Sequence, residues 1–272
     1  MITASIVIYN STAKDLQTVI SCVANSIVHT VYVIDNAPND SQKGLVHSLS
    51  EKVVYMQGHG NVGYGAAHNM AMREAIRQDV KYHLALNPDI AFQEGVIEKL
   101  AEYMDNNPVV GQVIPKIILP NGEIQYVCKL IPTPLDLLFR RFLTAGMNEK
   151  RANKFELRFT GYNRIMNVPY HHGCFMFFRV SALREIGLFD ERFFMYPEDI
   201  DLTRRMYEKY ATIFYPDVEV VHAHSAASRK NMKMFRIHSI NMIRYFNKWG
   251  WFFDAKRQNT NRQVLKELHY NG

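Results

Sequence analysis

The chain is short of the features that would place it outside the cell or across a bilayer. Its three cysteines, Cys22, Cys128 and Cys174, are odd in number, far apart and without metal-ligand spacing. That argues against a disulfide framework and for a reducing cytosol. No apolar run approaches the ~20 residues of a transmembrane helix. The opening MITASIVIYNS has no basic n-region and no cleavage site, and it reads as a core strand. Low-complexity tracts, internal repeats and clear linkers are missing, and 47% of the 272 residues are hydrophobic, enough for a substantial core. Phosphate-loop signatures are missing too. No Walker lysine follows a glycine loop, and Gly60, Gly63 and Gly65 are spaced G-x-x-G-x-G after the third strand, not the first.

Acids are scarce in one stretch. Between Arg229 and Arg262 there are nine Lys or Arg residues and one acid, Asp254, interleaved with Phe235, Tyr245, Phe246, Trp249, Trp251, Phe252 and Phe253. With a net charge of +6, this balance favours anionic partners: nucleic acid, phosphorylated ligands or a membrane surface. The aromatics also suit packing on the rest of the chain or on a second subunit.

What is present is alternation. Short apolar, β-branched runs at 5–9, 30–36, 52–57 and 82–90 read as strands, and the stretches 13–25 and 66–78 as helices. This order implies βαβ units and a mostly parallel sheet, with ligands at the carboxyl ends of its strands. Tyr9, Asn10, Asp35, Asn36, the glycine-rich loop 58–65 and Asn87 to Asp89 all follow strand ends. Farther on, a hairpin is expected around Asn121-Gly122, an amphipathic basic helix within 130–143, a strand at 172–180, a short helix ended by Gly187, and further strands at 211–224.

Four constellations carry chemistry. The loop 58–69 opens a helix whose amides suit phosphate or sugar oxygens. Asn87 and Asp89, two apart, face the same way in an extended segment and suit an ion or a diphosphate. His222 and His224 share a face at a strand end, where imidazoles bind metal or diphosphate oxygens. Last, FFMYPEDIDLTRRM (193–206) sets Glu198, Asp199 and Asp201 behind Pro197, a natural first helical residue. Asp201 is matched by Arg204 and Arg205 at i+3 and i+4. Asp199 shares its face with Leu202 and Met206, so it points inward, where a carboxylate is paired or functional.

The ordered set VIYNS, VIDNAP, GNVGYGAAHN, LNPDI, GCFMFFR, GLFDERFFMYPEDIDLTRR and VVHAHS closely resembles the family 2 inverting glycosyltransferases of GT-A fold, in particular the bacterial rhamnosyltransferase-like group of O-antigen (lipopolysaccharide) and capsule synthesis. The similarity runs from about residue 3 to 250. It implies a GT-A α/β fold over 1–225, with a nucleotide-sugar half (1–110) and an acceptor half (111–225), followed by a basic aromatic helical extension (226–272). It further implies that Tyr9, Asn10 and Asp35 hold base and ribose, and that Asn61, Gly63 and Asn69 line the donor site. Asn87 and Asp89 would stand at the Asp-x-Asp position, with Asp89 and His222 on a Mg2+ or Mn2+ ion. Asp199 would be the general base beside Glu198, and His172 and Gly173 would lie on the acceptor side. Asn87 replaces the first aspartate of that motif, which weakens the ion site. The implied partners are a nucleotide-sugar such as dTDP-rhamnose or a UDP-hexose, a polyprenyl-diphosphate-linked glycan, the anionic inner face of the cell membrane and a second copy of the chain. Two rivals fit less well. A sugar nucleotidyltransferase would carry a basic glycine loop where this chain has YNSTAKD. A nucleic-acid-binding module leaves Asp89, Glu198 and Asp199 unexplained, since they repel phosphates.

Overall fold

The computed structural model describes residues 1–136, 145–223 and 232–270. All seven residues of β1 (Ile2–Ile8) are buried, as in a strand covered on both sheet faces. In α1 (Ala13–Ala24), the Thr12 side chain accepts from Asp15 N at the cap, and Leu16, Val19, Ile20 and Val23 form the apolar stripe that seats the helix. β2 (Thr30–Asp35), α2 (Lys43–Leu49), β3 (Val53–Met56), α3 (Tyr64–Arg77) and β4 (Tyr82–Leu86) complete the alternation. The four strands lie parallel in the order β3-β2-β1-β4, so their carboxyl ends share one edge.

Beyond β4 the sheet becomes mixed. The chain leaves it at Asn87 and Pro88, which has no N–H for a ladder, and returns as β5 (Ile90–Phe92) at the opposite edge. There follow α4 (Val96–Asn106), β6 (Val110–Ile118), β7 (Cys128–Lys129), α5 (Ala145–Phe155), β8 (Met166–Asn167), β9 (Tyr170–His171), β10 (Phe175–Arg179), α6 (Val180–Ile186), α7 (Pro197–Tyr207) and β11 (Ala211–His222). β10 runs antiparallel to β4 and β6, β11 parallel to β6, and β5 and β8 antiparallel to β11; β7 and β9 pair separately. Residues 211–222 form one strand, irregular between Tyr215 and Glu219, not the several expected. The hairpin is a tight turn, with Gly122 at φ +84° and an Ile118–Ile124 bridge. The basic helix expected within 130–143 falls largely on 137–144, outside the described residues, as does His224.

α8 (Met232–Trp249) and α9 (Ala255–Glu267) close the chain. Met242, Tyr245, Phe246 and Trp249 join Tyr170, Phe193 and Ile200 in one apolar cluster, so this part of the aromatic tail packs on the body of the protein. Its charge is partly matched there as well: Lys248 reaches Asp190 at 2.8 Å and Asp201 at 2.6 Å, and Lys256 reaches Glu208 at 3.3 Å. Met232, Phe235, Ile240, Ile243, Phe252 and Phe253 remain exposed. Among the described residues no helix is long and apolar enough to cross a membrane.

Candidate active site

At the shared strand edge, Ile8 of β1 pairs with Asp35 of β2, so Tyr9 and Asn10 emerge beside Asp35. Tyr9 and Asn10 are exposed, and Asn10 takes a left-handed φ of +54° that Asn tolerates better than most residues. Asp35 is buried. Its Oδ1 accepts from Ala37 N at 2.8 Å and its Oδ2 from the Tyr55 hydroxyl at 2.6 Å. Burial, then this bond, pushes the Tyr55 phenol up, so it stays a donor. Asn36 Nδ2 donates to Gly63 O at 3.1 Å and thereby ties the glycine loop to this edge.

Within the loop, Gly63 sits at φ +91°, and a Cβ there would lie 2.2 Å from Phe194 O; only glycine fits. Asn61 is exposed and turns its Oδ1 back to accept from Gly63 N at 3.2 Å. Asn69 departs from the role the resemblance assigns it. Its amide donates to Phe189 O and to Glu191 Oε1, both at 2.9 Å, and accepts from Phe189 N at 3.0 Å. Three bonds commit it to tying α3 to residues 189–191.

The turn at Asn87 brings the second group together. Asp89 Oδ1 lies 3.2 Å from His222 Nε2, and Asn87 Nδ2 lies 3.4 Å from the same nitrogen. His222 Nδ1 meets Gln125 Oε1 at 2.8 Å, an orienting contact. Burial lowers the pKa of His222, but the adjacent Cys174 and Asp89 outweigh it and raise it to about 10. No group of three or more His, Cys, Asp or Glu able to hold a metal occurs among the described residues. One carboxylate and one imidazole are too few for a resident ion. They fit one that displaces the proton of His222 on binding and whose remaining positions are filled by diphosphate oxygens and water.

Across residues 172–174 this group meets α7. Asn87 N donates to Cys174 O at 2.9 Å, and Gly173 N donates to Asp199 Oδ2 at 2.9 Å. The His172 and His222 ring centroids are 6.3 Å apart. Asp199 Oδ1 accepts from Ile200 N at 2.8 Å. Burial outweighs these amide bonds and raises the pKa of Asp199 to about 7. Glu198 is also buried, and its Oε2 has no hydrogen-bond partner among the described residues. Desolvation, then Asp199, holds its carboxyl well above the usual range.

The helix is covered on more sides than its sequence pattern suggests. Asp201 is fully buried, held by Arg205 Nε at 2.9 Å and Trp249 Nε1 at 2.8 Å. Arg204 does not join that bridge. It pairs with Asp254 at 2.8 Å and lies 3.9 Å from the Trp249 ring centroid, which anchors the C-terminal helices to α7. Tyr196, just before the helix, holds φ +95°, a strained value for an aromatic residue next to the acid pair. Sequence reasoning missed Tyr55 and Gln125, which hold Asp35 and His222, Lys129, whose charge acts on Asp199, and Tyr64, whose hydroxyl donates to Gly173 O. Only Tyr64 had a signal, its place directly after Gly63.

The glycosyl transferase family 2 model matches residues 3–187, more than half of the chain. The chain belongs to that family. This glycosyltransferase is 25% identical over 216 residues to an N-acetylglucosaminyl-diphospho-decaprenol L-rhamnosyltransferase of Mycobacterium tuberculosis, covering 72% of this chain and 67% of the relative. It is 28% identical over 201 residues to rhamnosyltransferase WbbL of Escherichia coli K12, covering 70% and 72%. In fold it resembles a mannosyltransferase from Pyrobaculum calidifontis solved with GDP-Man and Mn2+, with a TM-score of 0.57 and 16% identity over 100% of this chain and 75% of the other. The mixed sheet flanked by helices is of GT-A type.

Proposed function

We propose that the enzyme is an inverting rhamnosyltransferase that moves L-rhamnose from dTDP-rhamnose to a hydroxyl of a polyprenyl-diphosphate-linked glycan in O-antigen or capsule synthesis. The observation that carries this reading is Asp199: a buried carboxylate raised to about 7 that accepts from Gly173 N, next to Cys174, whose carbonyl accepts from Asn87 N of the Asn87–Asp89–His222 group. A base near neutrality suits deprotonation of a sugar hydroxyl at working pH. The two rhamnosyltransferase relatives support the donor sugar, and the decaprenol-linked relative supports the acceptor.

In the proposed mechanism, Tyr9, Asn10 and Asp35 hold the nucleoside, and Asp35 is fixed for this by Ala37 N and Tyr55. The loop closed by Gly63 lies along the donor. His172 and Gly173 border the acceptor. Asp199 takes the acceptor's hydroxyl proton as that oxygen bonds to the anomeric carbon. The bond from this carbon to the diphosphate oxygen breaks, and the electron pair leaves with dTDP. Asp89 and His222 would hold a Mg2+ or Mn2+ ion, which when bound supplies positive charge to the departing diphosphate. Desolvation and the neighbouring Asp199 favour the neutral form of Glu198, which leaves Asp199 as the group that takes the proton.

The exposed residues Met232, Phe235, Ile240 and Ile243 of α8, with Phe252 and Phe253, support docking of the enzyme on an anionic cytoplasmic membrane face, where a lipid-linked acceptor resides. Burial of the same residues between two copies would instead appear as a dimer in solution.

Calorimetry with dTDP-rhamnose, UDP-glucose and UDP-galactose, each with Mg2+, Mn2+ or chelator, tests the reading. Tight, metal-strengthened binding of dTDP-rhamnose supports it. Preference for a UDP-hexose moves the enzyme to the hexosyltransferases, and no nucleotide binding under any condition removes the donor site.

A further inference from the structure

Tyr64 has no part in the mechanism above, yet it links three of its elements. Its hydroxyl donates to Gly173 O at 2.6 Å, while Gly173 N donates to Asp199 Oδ2 at 2.9 Å. A Cβ built at 173 would lie 3.3 Å from Asp199 Cβ and 3.6 Å from Tyr64 Cε1, so residue 173 is clasped between the ring and the carboxylate. The Tyr64 amide donates to Phe194 O at 2.9 Å, which ties the glycine loop to the segment leading into α7.

The ring itself stands on a rigid base. It meets His68 at 4.4 Å between centroids with the planes at 70°. His68 Nδ1 bonds Ser5 Oγ at 2.7 Å, and Ser5 Oγ bonds His83 Nε2 at 2.8 Å. All three residues are fully buried, so moving them would unpair polar groups in the core. Burial, reinforced by Cys174, Glu198, Asp199 and Asp89, holds the Tyr64 phenol well above its ordinary value, and its hydroxyl therefore remains a donor.

On the reading that Asp199 is the base, the geometry points to Tyr64 as its positioning residue: by fixing Gly173 it aims the Asp199 carboxylate and preserves the amide bond that favours the charged form. The charged and titratable groups acting on Asp199 are Glu198 from α7 itself, Lys129 from β7 and Tyr64 from α3. His172 flanks the clasped residue. Tyr64 is the one placed on Gly173 by a side-chain hydroxyl, its bond to Gly173 O.

Tyr64→Phe deletes one oxygen and keeps the ring. Two measurements are made: titration of the Asp199 carboxyl by 13C NMR without substrates, and kcat against pH at saturating donor. The expected result is an NMR midpoint raised from about 7 by ~0.5–1 pH unit, with the acid limb of kcat moving by the same amount. At pH 6.5 kcat then falls ~3–10-fold, recovers to within ~2-fold by pH 8.5, and donor affinity stays within ~2-fold. Gly173→Ala disturbs the same link from the other side and shifts the midpoint in the same direction. It replaces the first variant if that fails to fold. An unmoved NMR midpoint overturns the proposal, and weakened donor binding with an unmoved limb reassigns Tyr64 to the donor site. A midpoint that moves while the kcat limb does not follow keeps the Tyr64–Gly173–Asp199 link but removes Asp199 from the base role.

Discussion

The strand-end side of the site and the α7 side are built in opposite ways. Asp35 ends β2, while Asn61, Asn87 and Asp89 come from two separate connections, and the sheet topology gathers them. Several stay in contact with water: Asn61 is exposed and the Asp89 side chain is 25% exposed. On α7, Glu198 and Asp199 are neighbours in sequence, 4% and 7% exposed, and burial is the largest cause of their raised pKa values. Binding a diphosphate needs placement alone. A carboxylate that accepts a proton near neutrality needs desolvation as well, and a helix covered on nearly every side supplies it.

Asp199→Asn should divide the two sides most sharply. Transfer is expected to fall ~10²–10⁴-fold while calorimetric donor affinity stays unchanged; near-normal turnover would erase the distinction. The same variant tests the linkage. Folded Asp199 keeps its proton up to about pH 7, whereas the unfolded residue loses it near ~4. Its contribution to stability is therefore present below ~4 and is lost as pH rises through about 7. Asn, which never ionises, should raise Tm relative to wild type at pH 8 and change it less at pH 4.

Next in size is Arg204→Met, which takes from buried Asp254 its nearer arginine and leaves it Arg257 at 3.8 Å. A cost of ~3 kcal/mol in denaturant unfolding is expected. Little loss would mean that α8 and α9 do not help to hold α7. Asp89→Ala acts on the other side. Donor affinity should weaken at least ~10-fold, about 1.4 kcal/mol, and the response to chelator should vanish, with the acid limb of kcat unmoved. A moved limb would join the two sides electrostatically. The smallest effect on the enzyme itself is expected from Phe252→Ser with Phe253→Ser, within ~0.5 kcal/mol of stability and with unchanged turnover of a soluble acceptor. Cosedimentation with anionic vesicles should drop, and unchanged cosedimentation would remove these residues from the membrane contact.

The parallel half of the fold was legible because strands buried on both faces read as continuous apolar runs, and seated helices carry an apolar stripe. Tyr9, Asn10, Asp35 and Asp89 could be flagged as residues just past strand ends. Asp199 could be flagged because it shares a helix face with Leu202 and Met206. Other features left no local trace. The residues of β11 were expected as several strands because nothing local shows that pairing with β6 resumes after the irregularity. Asn69 lies in a helix with donor-loop character, but its amide is used by Phe189 and Glu191, some 120 residues away. Arg204 and Arg205 look equivalent in the sequence; one pairs within α7 and the other reaches the C-terminal helices.

By itself the sequence determined the alternation of elements, the edge at which the parallel strands end and the residue types available there, since each follows from periodicity, turn chemistry and chain order. Only the tertiary structure decided how far each acid of α7 is desolvated, how the basic tail is divided between core and surface, and that Tyr64 clasps Gly173. Those outcomes depend on burial and on partners distant in the chain, and desolvation exists only once the surrounding elements have packed.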